Sequence, residues 1–353
     1  MARVQHVQLS YAFGARTAGA AALRNPLMEL LQAVHDTGSI SAAARALDLS
    51  YRHVWGELKR WEGVLGQPLV AGEPGQPAQL SAFGSRLLRA ERQAQARLAP
   101  QLAALQAELA RAMALALAPD GLTLHLHASH DDALEALREY AAASAQLHLD
   151  IHYTGSVDAL RDLHEGRCSL AAFPSAEHPS PGSLAERACQ PWLDPQRHRL
   201  IGFVRRNQGL MLAPGNPLAL HSLADAARVR ARCARRAPGS STRLLFDDLL
   251  AQAGLPATAL QGDAQPEPSH AAVAQAVQSG RADIGLGLES AARRAGLDFV
   301  PLMTERYRLV CLASALEQPA LQALLALLRT PLWRRTLGAL PGYADDQGGK
   351  PAP

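Results

Sequence analysis

Residues 38–66, GSISAAARALDLSYRHVWGELKRWEGVLG, decide how the first third of the chain reads. Ser41 is placed to cap a short helix whose Ala43, Ala44 and Leu47 face inward, and small alanines let a second helix cross closely. Asp48, Leu49 and Ser50 form the turn, with Leu49 directed to the core and Ser50 capping the next helix. On that helix Val54, Leu58 and Trp61 share one side, which leaves Tyr51, Arg52, His53, Glu57 and Lys59 outward near its N-terminal half. This is a helix-turn-helix pattern, and its second helix is the element that would enter a DNA groove. Arg52 is the first candidate for a base or phosphate contact, because a guanidinium fork pairs with guanine or phosphate. Ser39, Ser41, Ser50, Tyr51, His53, Lys59 and Gln76 complete the DNA-contact candidates. The residues alone also fit an ordinary three-helix unit with solvated charges, since such units occur in protein-binding modules.

Working outward, Val7, Leu9, Tyr11 and Phe13 alternate as in a strand, and Asn25 to Asp36 read as a helix that Gly38 ends. VAGEPGQPAQLS, after the quoted stretch, reads as a β-hairpin. Ser81 to Ala118 is a long helical region with Leu98, Leu102, Leu105, Leu109 and Ala112 at heptad spacing, and Pro100 predicts a kink or a fresh start within it. Pro119-Asp120-Gly121 marks a domain boundary. Beyond it LTLHLHAS, DDALEALREYAAAS, LHLDIHYT, SVDALRDLHEG and SLAAF alternate strand and helix, and a second such series runs from Arg228 to Val300. That rhythm implies a mostly parallel sheet. Arg228, Arg230 and Arg232 are read as one solvated strand face.

The chain has 353 residues, too many for one ordinary domain, and its 48% hydrophobic content is enough to fill real cores. A formal charge of +3 is compatible with nucleic acid without requiring it. Cys168, Cys189, Cys233 and Cys311 have no metal-ligand or CxxC spacing, so buried reduced thiols are expected and no metal, cofactor or catalytic residue is assigned. The N-terminus lacks a signal-peptide core and no stretch has the length of a membrane span, which predicts a cytoplasmic protein with no membrane partner.

Several polar clusters fall where a strand hands over to a helix: Ser129-His130-Asp131, Gly155-Ser156, and Pro238-Gly239-Ser240-Ser241-Thr242-Arg243. Hydroxyls and free N–H groups at helix starts suit an anion or polar ligand. Each cluster also reads as a plain helix cap. Asp131 is expected to cap its helix and so not to repel an anion. The ligand candidates are Ser129, His130, Gly155, Ser156, Ser240, Ser241, Thr242, Arg243 and His270. Donors outnumber acceptors among them, which favours a negative ligand.

Residues 38–70 with QLSAFGSRLL resemble the head of ModE-type and LysR-type regulators, and SYRHVW is nearer the ModE form. SHDDAL, GSVDAL, RRNQGLMLAPGNP, RRAPGSSTRLLFDDLL, SHAAVAQAVQSGRADIGLGLESAARRAGLDFVPL and LPGY resemble the periplasmic-binding-protein-like domain attached to molybdopterin-biosynthesis proteins and to ModE/LysR-type heads. The family pattern Gly-Ser-Gly-Thr-Arg has Ser241 in place of its second glycine, and Ser269 stands where a threonine precedes the histidine. Ala172-Phe173-Pro174 replaces a Gly-x-His pattern, and the oxyanion-binding tail modules of ModE are not recognisable.

The resemblance implies a mixed architecture: a winged helix-turn-helix with a linker helix, then an α/β type-2 periplasmic-binding-protein-like domain of two lobes. The expected bounds are 1–83 for the DNA-binding domain, 84–118 for the linker and dimerisation helix, 119–346 for the sensor and 347–353 for a disordered tail. It implies a regulator, at least dimeric, that binds a pseudo-palindromic double-stranded operator under control of a small-molecule or oxyanion effector. A molybdenum or formate theme follows from the family's company. An enzyme acting on a molybdopterin-type substrate and a solute-binding transport component are the alternatives.

Overall fold

In the computed structural model, residues 25–71, 78–117, 121–177, 182–262 and 265–352 are described. The Val7–Phe13 strand, the tip of the hairpin with Gln76, and Pro119-Asp120 lie outside them. The chain divides into two compact units, Met1–Ala99 and Pro100–Pro353.

In the first unit α1 (Pro26–Thr37) begins on Asn25, whose side chain accepts from the N–H groups of Leu27 and Met28. Left-handed Gly38 ends it and donates to the Val34 carbonyl. Next comes α2 (Ile40–Ala46), and its cap is Ser39, not Ser41. Ser39 is extended and accepts from the Ala42 N–H, which places Ser41 on the exposed first turn. The turn also departs from expectation at Leu49, which is 39% exposed and does not plug the core. Asp48 is left-handed, its N–H reaches the Arg45 carbonyl, and the Leu49 N–H reaches the Ala44 carbonyl. That closure turns Leu49 outward and leaves Leu47 to pack inward.

Ser50 caps α3 (Tyr51–Leu65), as read, by accepting from the His53 N–H. Val54 and Leu58 are fully buried against Leu31, Val34 and Ala43, with Trp61 packed on the same core. A two-stranded hairpin follows, β1 (Val70–Ala71) antiparallel to β2 (Gln79–Leu80). The Glu62 carboxylate anchors its base, accepting from the N–H groups of Leu69 and Val70 and from Lys59. Burial would raise this carboxyl's pKa, but those three donors outweigh it and hold it below the ordinary value.

The long helix α4 (Ala82–Leu117) runs through Pro100 without a fresh start. Leu98, Leu102 and Leu109 are half-buried along it and Leu105 is 45% exposed. Its start is locked to the hairpin. Ser81 donates to the Pro68 carbonyl, and its hydroxyl accepts from the Gly84 N–H.

The second unit is built on one ten-stranded mixed sheet. Its first lobe holds β3 (Leu122–Ala128), α5 (Asp132–Ala145), β4 (Leu147–Tyr153), α6 (Ser156–His164), β5 (Leu170–Ala176) and α7 (Leu184–Cys189). The long strand β6 (His198–Leu212) then leads to α8 (Leu223–Arg228), β7 (Arg232–Ala234), α9 (Ser241–Gln252), β8 (Gln261–Gly262), α10 (His270–Gln278), β9 (Ile284–Leu288) and α11 (Glu289–Arg294) of the second lobe. Long β10 (Asp298–Leu312) returns to the first lobe and its α12 (Pro319–Leu328), α13 (Pro331–Gly338), β11 (Tyr343–Asp345) and β12 (Pro351–Ala352).

The main path is β4-β3-β5-β10-β6-β9-β7-β8, with β11 and β12 also on β6. β6 and β10 pair antiparallel from Asp298↔Leu212 to Leu312↔His198. β10 meets β5 at one end and β6 meets β9 at the other, so these two strands are the crossovers shared by both lobes. One core gathers Leu124, Leu126, Leu134, Phe203, Tyr307 and Trp333; another gathers Leu210, Cys233, Phe246 and Ile284.

Three further expectations are corrected here. The sheet is mixed and not mostly parallel, because the long strands β6 and β10 pair antiparallel with each other and with β9 and β5. The tail 347–353 is not structureless as far as it is described: Pro351 pairs with Ile201, Ala352 pairs with Leu200, and Arg329 donates to the Gly349 carbonyl. An edge of β6 in the first lobe needs backbone partners, and the tail supplies them. Arg228, Arg230 and Arg232 do not share a strand face. Arg228 ends α8, Arg230 is left-handed in the turn, and only Arg232 enters β7, where it pairs with Asp283.

A Cβ added at Gly84 would stand 2.2 Å from the Leu69 carbonyl oxygen, a backbone atom that cannot swing aside. Gly84→Ala is therefore expected to destabilise the first unit by roughly 1–3 kcal/mol, as overpacking does. Urea unfolding of the full chain measures this, and an unchanged first transition would contradict it.

Candidate functional site

Two separate sets of residues were marked, one in each unit. In the first unit Tyr51, Arg52, His53 and Lys59 all lie exposed on α3, while Ser39 and Ser50 are caps. Arg52 has no ion-pair partner among the described residues, so its charge is available. Lys59 differs: its ammonium bonds Glu62 at 2.7 Å and lies 4.6 Å from the centre of the Trp55 ring. The other nearby carboxylate, Glu57, is held by Arg60 at 2.6 Å. The exposed helix face thus presents cations whose local acids are engaged. Trp55, 39% exposed, was missed because a tryptophan between Val54 and Leu58 reads as core.

In the second unit the marked corners converge. β3 and β4 deliver Ser129 and Gly155 to the starts of α5 and α6, and α9 and α10 begin at Ser241 and His270. The Ser156 hydroxyl, wholly buried, lies 3.2 Å from the Ser241 hydroxyl of the other lobe. Gly155 begins α6 with no side chain capping it, whereas Ser240 caps α9 by accepting from the Arg243 N–H. Thr242 Oγ1 stands 3.5 Å from His270 Nε2, and His270 Nδ1 is buried with no hydrogen-bond partner. His130 packs beside Tyr153. Arg243 is the exception, since its guanidinium turns along α9 to Asp247 at 3.0 Å.

Charge in this cleft is set by residues that the sequence reading did not choose. Asp131 caps α5 as expected, accepting from the Ala133 N–H at 2.8 Å. It also binds the guanidinium of Arg206 and accepts from the Tyr343 hydroxyl. Arg206 further donates to Glu305 at 2.6 Å and lies 4.0 Å from the centre of the Tyr307 ring. Tyr307 donates to the Ser129 carbonyl, so this cluster reaches the first corner directly. Burial opposes the Arg206 charge, but Glu305 and Asp131 outweigh it and hold its pKa well above the ordinary value.

Arg236 is different. Its guanidinium donates to the backbone carbonyls of Glu267 and Pro268, just before the Ser269 cap of α10, and it meets no carboxylate among the described residues. Burial first, then the Arg206 charge, pulls its pKa down to about 10. Burial, then Arg236, Arg206 and His130, holds His270 well below its ordinary 6.5. The cleft therefore combines one cation without a counter-charge, a neutral imidazole, buried hydroxyls and helix N-termini. Free donors of this kind suit an anion or another polar ligand. Arg206 and Glu305 lie in polar runs of β6 and β10, where no alternation singles them out, and their pairing spans 99 residues.

Among the described residues no group of three or more His, Cys, Asp or Glu is placed to hold a metal ion, and no helix is long and apolar enough to cross a membrane. Cys168, Cys189, Cys233 and Cys311 are all buried and free.

Comparison with known proteins agrees with this division. Residues 137–329 match the PBP superfamily domain, and residues 26–85 match the bacterial regulatory helix-turn-helix of the lysR family. The chain is 28% identical over 232 residues to the uncharacterized protein YvgK of Bacillus subtilis (strain 168), covering 66% of this chain and 74% of that one. It is 30% identical over 108 residues to an uncharacterized protein of the ferredoxin 2Fe-2S gene 5' region of Clostridium pasteurianum, covering 30% of this chain and 96% of that one. A hydrogen-peroxide-bound mutant of OxyR from Corynebacterium glutamicum superposes with a TM-score of 0.46 at 15% identity, covering 90% of this chain and 94% of that one.

The depressed His270 pKa carries a consequence for stability. Between its folded value and 6.5, the unfolded chain holds a proton that the native chain lacks, so stability falls as pH drops below 6.5. His270→Gln should therefore lose less melting temperature than wild type between about pH 7.5 and about pH 5. Equal losses in the two proteins would show that His270 is not the titrating group.

Proposed function

Because this chain belongs to the PBP superfamily and carries a LysR-type helix-turn-helix ahead of its effector-binding domain, we propose that it is a transcriptional regulator whose hold on a pseudo-palindromic operator is set by a small anion in the cleft. The observation that carries the anion is Arg236, a cation that meets no carboxylate among the described residues, with neutral His270 and buried Thr242 in the same region. Ser156 and Ser241 face each other from the two lobes, so a ligand bridging them favours one lobe arrangement over another. Differential affinity of that kind is what an effector needs in order to signal.

Arg52, Tyr51 and His53 on the exposed face of α3 are assigned to the operator, with Arg52 making the charged contact. The half-exposed leucines of α4, Leu98, Leu102, Leu105 and Leu109, are assigned to pairing with a second copy, which would supply the second half-site reader. Molybdate, tungstate and formate are the anions that fit both the charge and the family's molybdenum company.

Calorimetry of the full chain with molybdate, tungstate, formate and a neutral pterin tests the reading, with sedimentation of the same samples reporting oligomeric state. At least one anion should bind. Arg236→Ala and Thr242→Ala should each weaken it, Arg236→Ala by about 1.5–3 kcal/mol, the worth of a hydrogen bond to a charged group. Binding of the pterin alone, or anion binding untouched in both variants, would overturn the anionic assignment. A monomer throughout would remove the assignment of α4.

A further inference from the structure

Tyr51 and Trp55 stand one turn apart on α3, 51% and 39% exposed. Their ring planes are 8° apart with centroids separated by 6.4 Å, so the rings stack and their exposed edges line up as one apolar wall. The core does not use either ring; Trp61 is the tryptophan of α3 that packs there. The Lys59 ammonium covers Trp55 and is tied down by Glu62. Lys59 therefore braces the wall and its charge is engaged.

The surroundings are cationic. Arg45 and Arg52 are exposed, and Glu57 and Glu62 are occupied by Arg60, Lys59 and backbone amides; Asp48 in the preceding turn is the remaining exposed acid. Beside Trp55 lies Gly56, where an added Cβ would meet nothing within 4 Å. A glycine in mid-helix weakens the helix, and no neighbour among the described residues requires one here. The absent side chain makes room for a surface from outside.

We infer that the Tyr51–Trp55 wall reads thymine 5-methyl groups in the major groove, with Gly56 letting α3 approach closely. This rests on the DNA-binding reading above and names which residues choose the sequence. The thymine methyl is the apolar feature on the major-groove edges of the bases, whereas elsewhere an apolar wall would strip water from donors and acceptors without replacing it. Insertion between base pairs is disfavoured for this pair. Trp55 is stacked on one neighbour and capped by another, so it would have to give up both contacts to swing out.

The test uses the full chain and a random-sequence duplex pool, followed by replacement of thymidine with deoxyuridine in the enriched duplexes. Wild type should enrich thymines at fixed positions and bind each methyl-deleted duplex about fourfold more weakly, the worth of one buried methylene-sized group. Trp55→Ala should lose that sensitivity while keeping the wild-type salt dependence, because no phosphate contact is removed. Trp55→Phe should keep the sensitivity, since an apolar ring edge remains. Gly56→Ala should raise the melting temperature yet weaken binding.

If no duplex is enriched, the DNA-binding reading itself fails, and this inference with it. Enrichment in which methyl removal has no effect, or weakens wild type and Trp55→Ala equally, overturns the inference and leaves that reading standing. A flatter salt slope in Trp55→Ala would reassign the wall to the phosphate backbone.

Discussion

The buried guanidinium of Arg206 holds the second unit together. Asp131, Glu305 and the Tyr307 ring surround it, and Tyr343 completes the shell by bonding Asp131. These residues come from β6, β10, the start of α5 and β11, so one cation ties both crossover strands to a helix start and to the C-terminal edge of the sheet. Leaving such a charge without one partner costs about 3–5 kcal/mol, far more than a surface pair is worth. The arrangement also decides the electrostatics of the cleft. With Arg206 already paired to two carboxylates, its charge is used inside the scaffold, whereas Arg236 donates to backbone carbonyls and meets no carboxylate among the described residues.

The same division between scaffold and site runs through the hydroxyls. Ser240 and Ser269 spend their side chains on capping α9 and α10. Ser241 and Thr242 follow the Ser240 cap and Ser156 follows Gly155, and the Ser156 and Ser241 hydroxyls lie 3.2 Å apart. In the first unit Ser39 and Ser50 are caps in the same sense, while the outward residues of α3 are not used by the core.

Local chemistry was legible in the sequence, and long-range pairing was not. The capping roles of Ser50 and Asp131, the heptad-spaced long helix and the βαβ rhythm are consequences of short-range periodicity and helix-end preferences. Ser41 and Leu49 were misplaced because the outcome hung on a single backbone conformation, left-handed Asp48, and on which of two nearby serines starts α2. The approach of Ser156 to Ser241, the Arg206 cluster and the half-buried position of Arg236, away from any described carboxylate, depend on residues far apart in the chain. No local pattern encodes them. Arg243, the arginine chosen from the sequence, has Asp247 one helical turn away to occupy it. The tail pairs with β6 because an exposed edge needs partners, which is a property of the finished sheet.

The account stands or falls on a thermodynamic link between the cleft and the DNA-reading helix. Linkage makes it reciprocal: if an anion changes affinity for DNA, DNA must change affinity for the anion by the same factor. The decisive measurement is the calorimetric affinity for the tightest-binding of molybdate, tungstate and formate, taken on the free chain and on the chain saturated with an enriched duplex. The account predicts affinities that differ by about fivefold or more, matching the anion-induced shift in DNA affinity. Equal anion affinities in the two states would show that the cleft, whatever it binds, does not govern the helix-turn-helix.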